Sequence, residues 1–108
     1  MLLRYKANPN VQLSNNLSTP LHIAAHYGHY DVVDKLLEYN ANPNIPDMSG
    51  MVSLHWAVKK GNLKIVQRLL EFGANVDLKH SFGKTCVEIA FQEKHYDLTK
   101  MILYKAFQ

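Results

Sequence analysis

The sequence has a single cysteine, Cys86, which excludes an internal disulfide and favours a reducing location, cytoplasmic or nuclear. No apolar run approaches the roughly 18–20 residues of a membrane span, and residues 1–6 turn polar too soon for a secretory signal. Neither sign of charge predominates strongly. Twelve basic against nine acidic side chains leave a net charge of +3, which is too small to indicate nucleic-acid binding.

Motifs that carry catalysis are missing as well. The sequence has no Gly-x-Ser-x-Gly elbow, no phosphate-binding glycine loop and no His-Glu-x-x-His pair, so neither an enzyme nor a cofactor is predicted. His22, His26 and His29 lie close together in the sequence and raise the question of zinc. A zinc site needs at least three convergent protein ligands, whereas polar residues are ordinary at a turn. We therefore predict no metal site, and we expect Cys86 to be a small buried apolar residue.

What the chain does have is an internal repeat of 33 residues. Leu-His-Ile-Ala-Ala at 21–25 recurs as Leu-His-Trp-Ala-Val at 54–58 and, more weakly, as Val-Glu-Ile-Ala-Phe at 87–91. A repeat of this length indicates stacked supersecondary units rather than one central core.

Each unit predicts two short helices and a turn. Thr19 before a proline is typical of a helix N-cap, and the first helix is expected over 20–27, ending at Gly28. Apolar residues at three-four spacing predict a second helix over 30–39, ending at Asn40 in a left-handed conformation. Helices this short are marginal alone, so they must bury their apolar faces against neighbouring units.

These features resemble the ankyrin repeat family. Thr-Pro-Leu-His at 19–22 is the signature of that family, Gly-Ala-Asn-Val-Asp at 73–77 resembles its helix-to-hairpin junction, and the resemblance covers nearly the whole chain. It implies an all-α solenoid of helix-turn-helix pairs joined by β-hairpin loops. The expected units are a partial repeat at 1–17, repeats at 18–50 and 51–83, and a C-terminal cap-like repeat at 84–108.

Several positions depart from the pattern of the family. The partial first unit predicts that the chain is a fragment of a longer array. We expect a monomer, with weak self-association through the N-terminal surface that the incomplete unit leaves open. In the last unit Glu88 replaces the signature histidine and Lys94 replaces a glycine, as in a terminal cap. In the third unit Val52 replaces the signature threonine, so His55 needs a different hydrogen-bond partner.

The resemblance implies a non-enzymatic role in protein–protein recognition through hairpin tips and the concave face of the first helices. The positions so implied are Asn15, Asn16, Ser18, His26 and Tyr27, then Met48, Ser49, Met51, Lys59 and Lys60, then Ser81, Phe82, Lys84, Gln92 and Glu93. The predicted contact set among them is Tyr27, His26, Met48, Ser49, Met51, Lys59, Lys60, Phe82 and Lys84.

That set predicts a protein or peptide partner with a hydrophobic anchor and acidic flanks. For Met51 and Phe82, packing between adjacent hairpins is an equal alternative. Trp56 aligns with Ile23 and Ile89, so it is interpreted as core.

Other functions stay open at this point. The chain is alternatively the regulatory or targeting segment of a larger enzyme, such as a ubiquitin ligase, a kinase or a phosphatase regulator, or the cytoplasmic array of a membrane channel. Lys60, Lys64 and Arg68 lie at helical spacing, which indicates a solvated helix face or, alternatively, a site for an anionic partner.

The resemblance also raises a modification, because ankyrin domains are substrates of an asparaginyl hydroxylase that acts on a hairpin asparagine eight residues after a helix leucine. Asn10 follows Leu2 and Asn44 follows Leu36 at this distance. Both are candidate hydroxylation sites, and the alternative is that each side chain bonds the turn backbone.

Overall fold

The computed structural model describes residues 8–106 of the chain. Within this range the helices are α1 (Pro20–Tyr27), α2 (Tyr30–Glu38), α3 (Ser53–Lys60), α4 (Leu63–Glu71), α5 (Cys86–Gln92) and α6 (Tyr96–Ala106). They form one pair in each of the units 18–50, 51–83 and 84–108. Residues 8–106 contain no strand, and the hairpins between the pairs are tight turns. The predicted all-α solenoid is confirmed, while the start of the partial unit 1–17 lies outside the described residues.

Local sequence explains where the first helices begin. Thr19 accepts a hydrogen bond from the backbone N–H of His22 at the start of α1, and Thr85 accepts one from Glu88 at the start of α5. Glu88 Oε1 in turn accepts from the Thr85 N–H at 3.0 Å. The hydrogen bonds from Thr85 hold the pKa of Glu88 below its usual value, and Glu88 therefore acts as a capping acid.

Left-handed residues end the helices. Gly28 and Gly61, with φ of 74° and 72°, follow the first helices of two units. Asn40 at φ 70° and Gly73 at φ 88° follow the second helices, as the sequence predicts. At Gly61 a Cβ atom would lie 2.7 Å from the His95 ring, so packing as well as conformation requires glycine there.

Lys94 stands in the last unit where Gly28 and Gly61 stand in the two units before it, and it also has a left-handed conformation, with φ 63°. A left-handed conformation costs a residue with a Cβ about 1–2 kcal/mol, and glycine avoids most of this cost. We expect Lys94→Gly to raise the free energy of unfolding by about 1 kcal/mol in urea denaturation. Lys100→Gly is the matched control, because Lys100 lies inside α6 and should lose about 1 kcal/mol. An unchanged or lower stability for Lys94→Gly would contradict the interpretation that the left-handed conformation of Lys94 costs stability.

The helix pairs stack into two layers. Helices α1, α3 and α5 pack side by side in one layer, α2 packs on α4 in the other, and each helix also packs on the partner in its own unit. The described part of the molecule is elongated, with extents of 39 × 25 × 23 Å. A single core follows the stack and includes Leu21, Leu36, Leu54, Leu69 and Ile102. None of the described helices has the length and hydropathy needed to cross a membrane.

Two buried histidines join successive units. His22 Nδ1 accepts from the backbone N–H of Thr19 at 2.9 Å, and its Nε2–H donates to the carbonyl of Met51 in the next unit at 2.8 Å. His55 repeats this arrangement with Val52 N–H at 3.1 Å and the Leu78 carbonyl at 2.9 Å. Because the backbone of Val52 supplies a donor, His55 keeps a partner at Nδ1 although the signature hydroxyl is lost.

Asparagine side chains form a second connection between units, at the starts of the hairpins. Asn10 Oδ1 accepts from the Asn42 N–H at 2.7 Å, and Asn44 Oδ1 accepts from the Asn75 N–H at 2.8 Å. Asn44 also donates from Nδ2 to the Gly73 carbonyl at 3.1 Å. Both candidate hydroxylation sites thus bond backbone groups of the following unit, and their modification stays a prediction.

The outer side of the last unit is apolar, although a terminal cap usually has a polar outer face. Phe91 is 63% exposed there, whereas Val58, at the same position of the preceding unit, is fully buried. The Phe91 ring meets the Tyr96 ring edge to face at 5.7 Å. The cap-like role of residues 84–108 stays a prediction, and this exposed ring does not match the polar face expected of a cap.

Candidate protein-interaction surface

The first helices and the hairpin tips share one face of the molecule, which we call the inner face. A groove of about 320 Å³ lies on it between the third and fourth units, and we call this the central groove. Helices α3 and α5 form its floor and two hairpin tips form its rim. Its lining residues are Ser49, Met51, Trp56, Lys59, His80, Phe82, Lys84, Ile89, Gln92 and Glu93.

Trp56 lies on the floor of the central groove, where it packs against the core as interpreted but also keeps one side at the surface. It is half-buried, and its Nε1–H donates to Asp47 Oδ2 at 3.0 Å. The Lys59 ammonium lies 5.7 Å from the centre of the indole ring. An indole N–H needs a polar partner, and because Asp47 lies in the hairpin, this bond fixes the ring at the surface between α3 and the hairpin.

A second groove, of about 210 Å³, lies on the other side of Trp56 between the second and third units. We call it the upstream groove, and it is lined by Asn16, Ser18, His22, Ile23, His26, Tyr27 and Trp56. The His26 ring meets the Trp56 indole edge to face at 4.8 Å and the Tyr27 ring at 4.6 Å. Trp56 is therefore a wall common to both grooves.

The hairpin tips decide which apolar residues face solvent. Met51 is 7% exposed, and its backbone pairs with Asp47: its N–H donates to Asp47 Oδ1 and its carbonyl accepts from the Asp47 N–H. The packing alternative therefore describes the Met51 side chain, although the residue also lines the central groove, and its expected contact with a partner stays a prediction. Phe82 is 89% exposed, and its N–H donates to His80 Nδ1 at 3.0 Å. Met48 is exposed but lines neither groove.

Adjacent hairpins are tied together at their tips. The Met48 N–H donates to the Asn16 carbonyl at 2.9 Å, and the Ser81 N–H donates to the Ser49 carbonyl at 3.0 Å, at the equivalent position one unit later. The rim of the inner face is thus a row of connected turns rather than three independent loops. A rim fixed in this way holds Phe82 and Ser49 in register with the helices behind them.

Positive charge is concentrated where α3 ends. Lys59 and Lys60 follow Trp56, and Lys84 lies on the opposite side of the central groove, where it donates to Gln92. The pKa of His26 is lowered first by desolvation and then by the charges of Lys60 and Lys59. Lys60 lies beside the grooves rather than in their lining, so it would influence a bound partner through its electrostatic field rather than by contact.

The basic residues at helical spacing on α4, Lys64 and Arg68, contact other side chains of the molecule. Arg68 Nε lies 2.5 Å from Asp34 Oδ1, and the Lys64 ammonium lies 4.1 Å from the centre of the Tyr30 ring. These contacts join α4 to α2 in the preceding unit. A solvated, structural helix face therefore describes these residues better than an anion site does.

The potential metal ligands of the described residues are dispersed, and the single cysteine is buried. In residues 8–106 no three His, Cys, Asp or Glu side chains lie close enough together to hold a metal ion. Cys86 is buried as expected, and burial raises the pKa of its thiol to about 11, so it is a poor nucleophile at neutral pH.

Sequence reasoning predicted most of the central groove but missed three of its lining residues, Trp56, His80 and Ile89. The sequence did contain a signal for Trp56, because Asp47 in the preceding hairpin offers an acceptor for the indole N–H. His80 follows Asp47 by one repeat and takes over its role of accepting a tip N–H, so the 33-residue alignment would have identified it.

Comparisons with known proteins agree with this architecture. A family model described as ankyrin repeats in many copies matches residues 1–37 and 21–70, and one described as three ankyrin repeats matches residues 46–108. A stretch of 48 residues is 44% identical to the ARF GTPase-activating protein Git of Drosophila melanogaster, and covers 44% of this chain and 7% of that protein. With its 33-residue period, stacked helix pairs and family matches over its whole length, this chain belongs to the ankyrin repeat family.

Proposed function

We propose that this chain is a non-enzymatic recognition module that binds a protein partner on its inner face. Ankyrin repeats are generally protein-interaction modules. The observation that carries the proposal is Phe82, an 89% exposed aromatic ring at the rim of a groove whose floor is apolar. Exposed apolar side chains that border a concave surface are typical of interfaces.

The surroundings of Phe82 favour a partner with an apolar anchor and acidic flanks. Trp56 and Ile89 offer apolar surface inside the groove, and aromatic residues contribute much of the energy of interfaces. Lys59 and Lys84 stand on two sides of that surface. Acidic residues beside the anchor would pair with them, and such pairing chiefly raises specificity and the association rate.

The partner-binding role predicts a large effect at Phe82. We expect Phe82→Ala to lower affinity for a captured protein partner at least about tenfold, because truncating an aromatic residue that a partner buries typically costs about 1–2 kcal/mol or more. The partner is isolated by affinity capture with the whole chain, and its affinity for each variant is measured by calorimetry. The melting temperature should stay unchanged, since the ring is exposed.

Phe91→Ala is the matched control. It removes an exposed phenylalanine from the outer side of the last unit and should leave the affinity unchanged. Equal affinity of Phe82→Ala and the unaltered protein for every captured partner would reject the inner face as the binding surface.

A second candidate is that the module serves as a regulatory or targeting segment of a larger enzyme. The stretch similar to a GTPase-activating protein supports it, because the chain spans only a small part of that protein. Intact-mass measurement of the polypeptide from expressing cells tests this. A native product of 108 residues would exclude it, and would leave the inner face as a binding surface unaffected.

A further inference from the structure

We propose that the occupant of the inner face is an extended acidic peptide segment whose two apolar side chains stand three residues apart and enter the two grooves on either side of Trp56. This inference rests on the proposed function and names the class of partner. It adds a spacing, a backbone conformation and a charge pattern.

The spacing follows from the repeat. The upstream groove lies between α1 and α3, and the central groove lies between α3 and α5, so the two are one helix position apart. Neighbouring packed helices are about 8–10 Å apart. In a β-strand, side chains three residues apart point to opposite faces, so the extended conformation that fits is polyproline II. A polyproline II chain advances about 3.1 Å per residue with three residues per turn, so side chains at positions i and i+3 point to the same side and span roughly 9–10 Å. Side chains on neighbouring residues of the peptide are too close together to reach both grooves.

The polar lining favours an extended backbone. Asn16 and Ser18 line the upstream groove, and Ser49, His80 and Gln92 line the central one. An extended segment leaves its backbone N–H and carbonyl groups unpaired, and these side chains can bond them. An α-helix has already paired its backbone groups, and it would need anchors about seven residues apart to cover the same 10 Å.

The charges place the acidic residue. Lys59 and Lys60 stand at the end of α3, beside the shared Trp56 wall, whereas Glu93 lines the far side of the central groove. Negative charge is therefore favoured most between the two anchors, because beyond the second one Glu93 offsets the positive charge of Lys84. Among the described residues Asp47 forms no ion pair with these lysines, and its two carboxylate oxygens accept from the Trp56 N–H and from backbone N–H groups.

The test uses the fluorescence of Trp56, which is the single tryptophan of the chain and lies between the grooves. The probe is a short synthetic peptide with two leucines three positions apart, glutamates between them and serines elsewhere. An isomer of the same composition has the leucines two positions apart, and a helical peptide has them seven apart. We expect the first peptide to shift the emission of Trp56 and to bind at least about tenfold more tightly than either of the others.

Charge reversal gives a second arm. Lys59→Glu should weaken the first peptide at least about tenfold, whereas Lys35→Glu on the exposed face of α2 should not change it. Equal affinity for the two isomers, or tighter binding of the helical peptide, would overturn the inference. If Phe82→Ala still weakens a captured protein partner in that case, the inner face remains the binding surface and only the extended-peptide class is rejected.

Discussion

Replacing Leu54 with alanine is expected to lower the free energy of unfolding by about 2–5 kcal/mol. Leu54 is fully buried in α3, the helix that packs on both α1 and α5. Truncation removes apolar contacts and leaves a cavity in the middle of the stack. The loss is comparable with the whole stability of a small domain, so a large part of the variant should be unfolded at ordinary temperature. Urea denaturation followed by circular dichroism measures it.

Leu63→Ala is the control for this change. Leu63 begins α4, and its side chain is largely exposed, so the same truncation should alter the stability by only about 0.5 kcal/mol. Similar losses for the two variants would show that burial between stacked units does not dominate the stability of this fold.

Acidification is expected to destabilise the protein below about pH 6.5, the usual pKa of an unfolded histidine. Burial lowers the pKa of His22 and of His55, an effect only partly opposed by their bonds to the carbonyls of Met51 and Leu78. The unfolded chain therefore binds more protons than the folded one in this range. The stability due to the neutral rings is complete above about pH 6.5 and is lost as the pH falls through the lowered folded values. Each histidine contributes a slope of at most about 1.4 kcal/mol per pH unit.

The measurement is a series of urea titrations between about pH 7.5 and pH 5, above the range in which carboxylates titrate. His22→Gln combined with His55→Gln should flatten the dependence on pH, while also lowering stability at neutral pH because inter-unit hydrogen bonds are disturbed. His29→Gln removes an exposed histidine and serves as the control. A double variant that keeps the full slope would show that other groups cause the acid sensitivity.

The architecture was predictable because each of its causes is local or periodic. Gly28 and Asn40 end helices where a left-handed residue is needed, and Thr19 begins one through a cap. The 33-residue period then implies stacking, since helices of eight or nine residues cannot bury an apolar face alone. The inter-unit bond of His55 was less direct: the need for a partner followed from Val52, but its identity did not.

The inner face was predictable only as a set of positions. Met51 and Phe82 are both apolar residues of the hairpins, and the sequence alone could not say which one faces inward. Asp47 and His80 hold the two turns in the same way, each accepting the N–H two residues further on, but the two apolar residues stand at different positions of the turn. Met51 follows Gly50 and packs between units, while Phe82 precedes Gly83 and projects into solvent. The same Asp47 accepts from the Trp56 indole, which packs against the core and also forms the wall between two grooves.

Local and periodic signals in the chain thus decide the helices, their ends, the repeat and the family. Tertiary structure alone decides which side chains meet across units: Trp56 with Asp47 and His26, Arg68 with Asp34, and Lys64 with Tyr30. The physical reason is the distance over which each cause acts. Backbone conformation and apolar periodicity are set within a few residues, whereas the exposure of a side chain depends on hydrogen-bond partners that only the stacking of one unit on the next brings within reach.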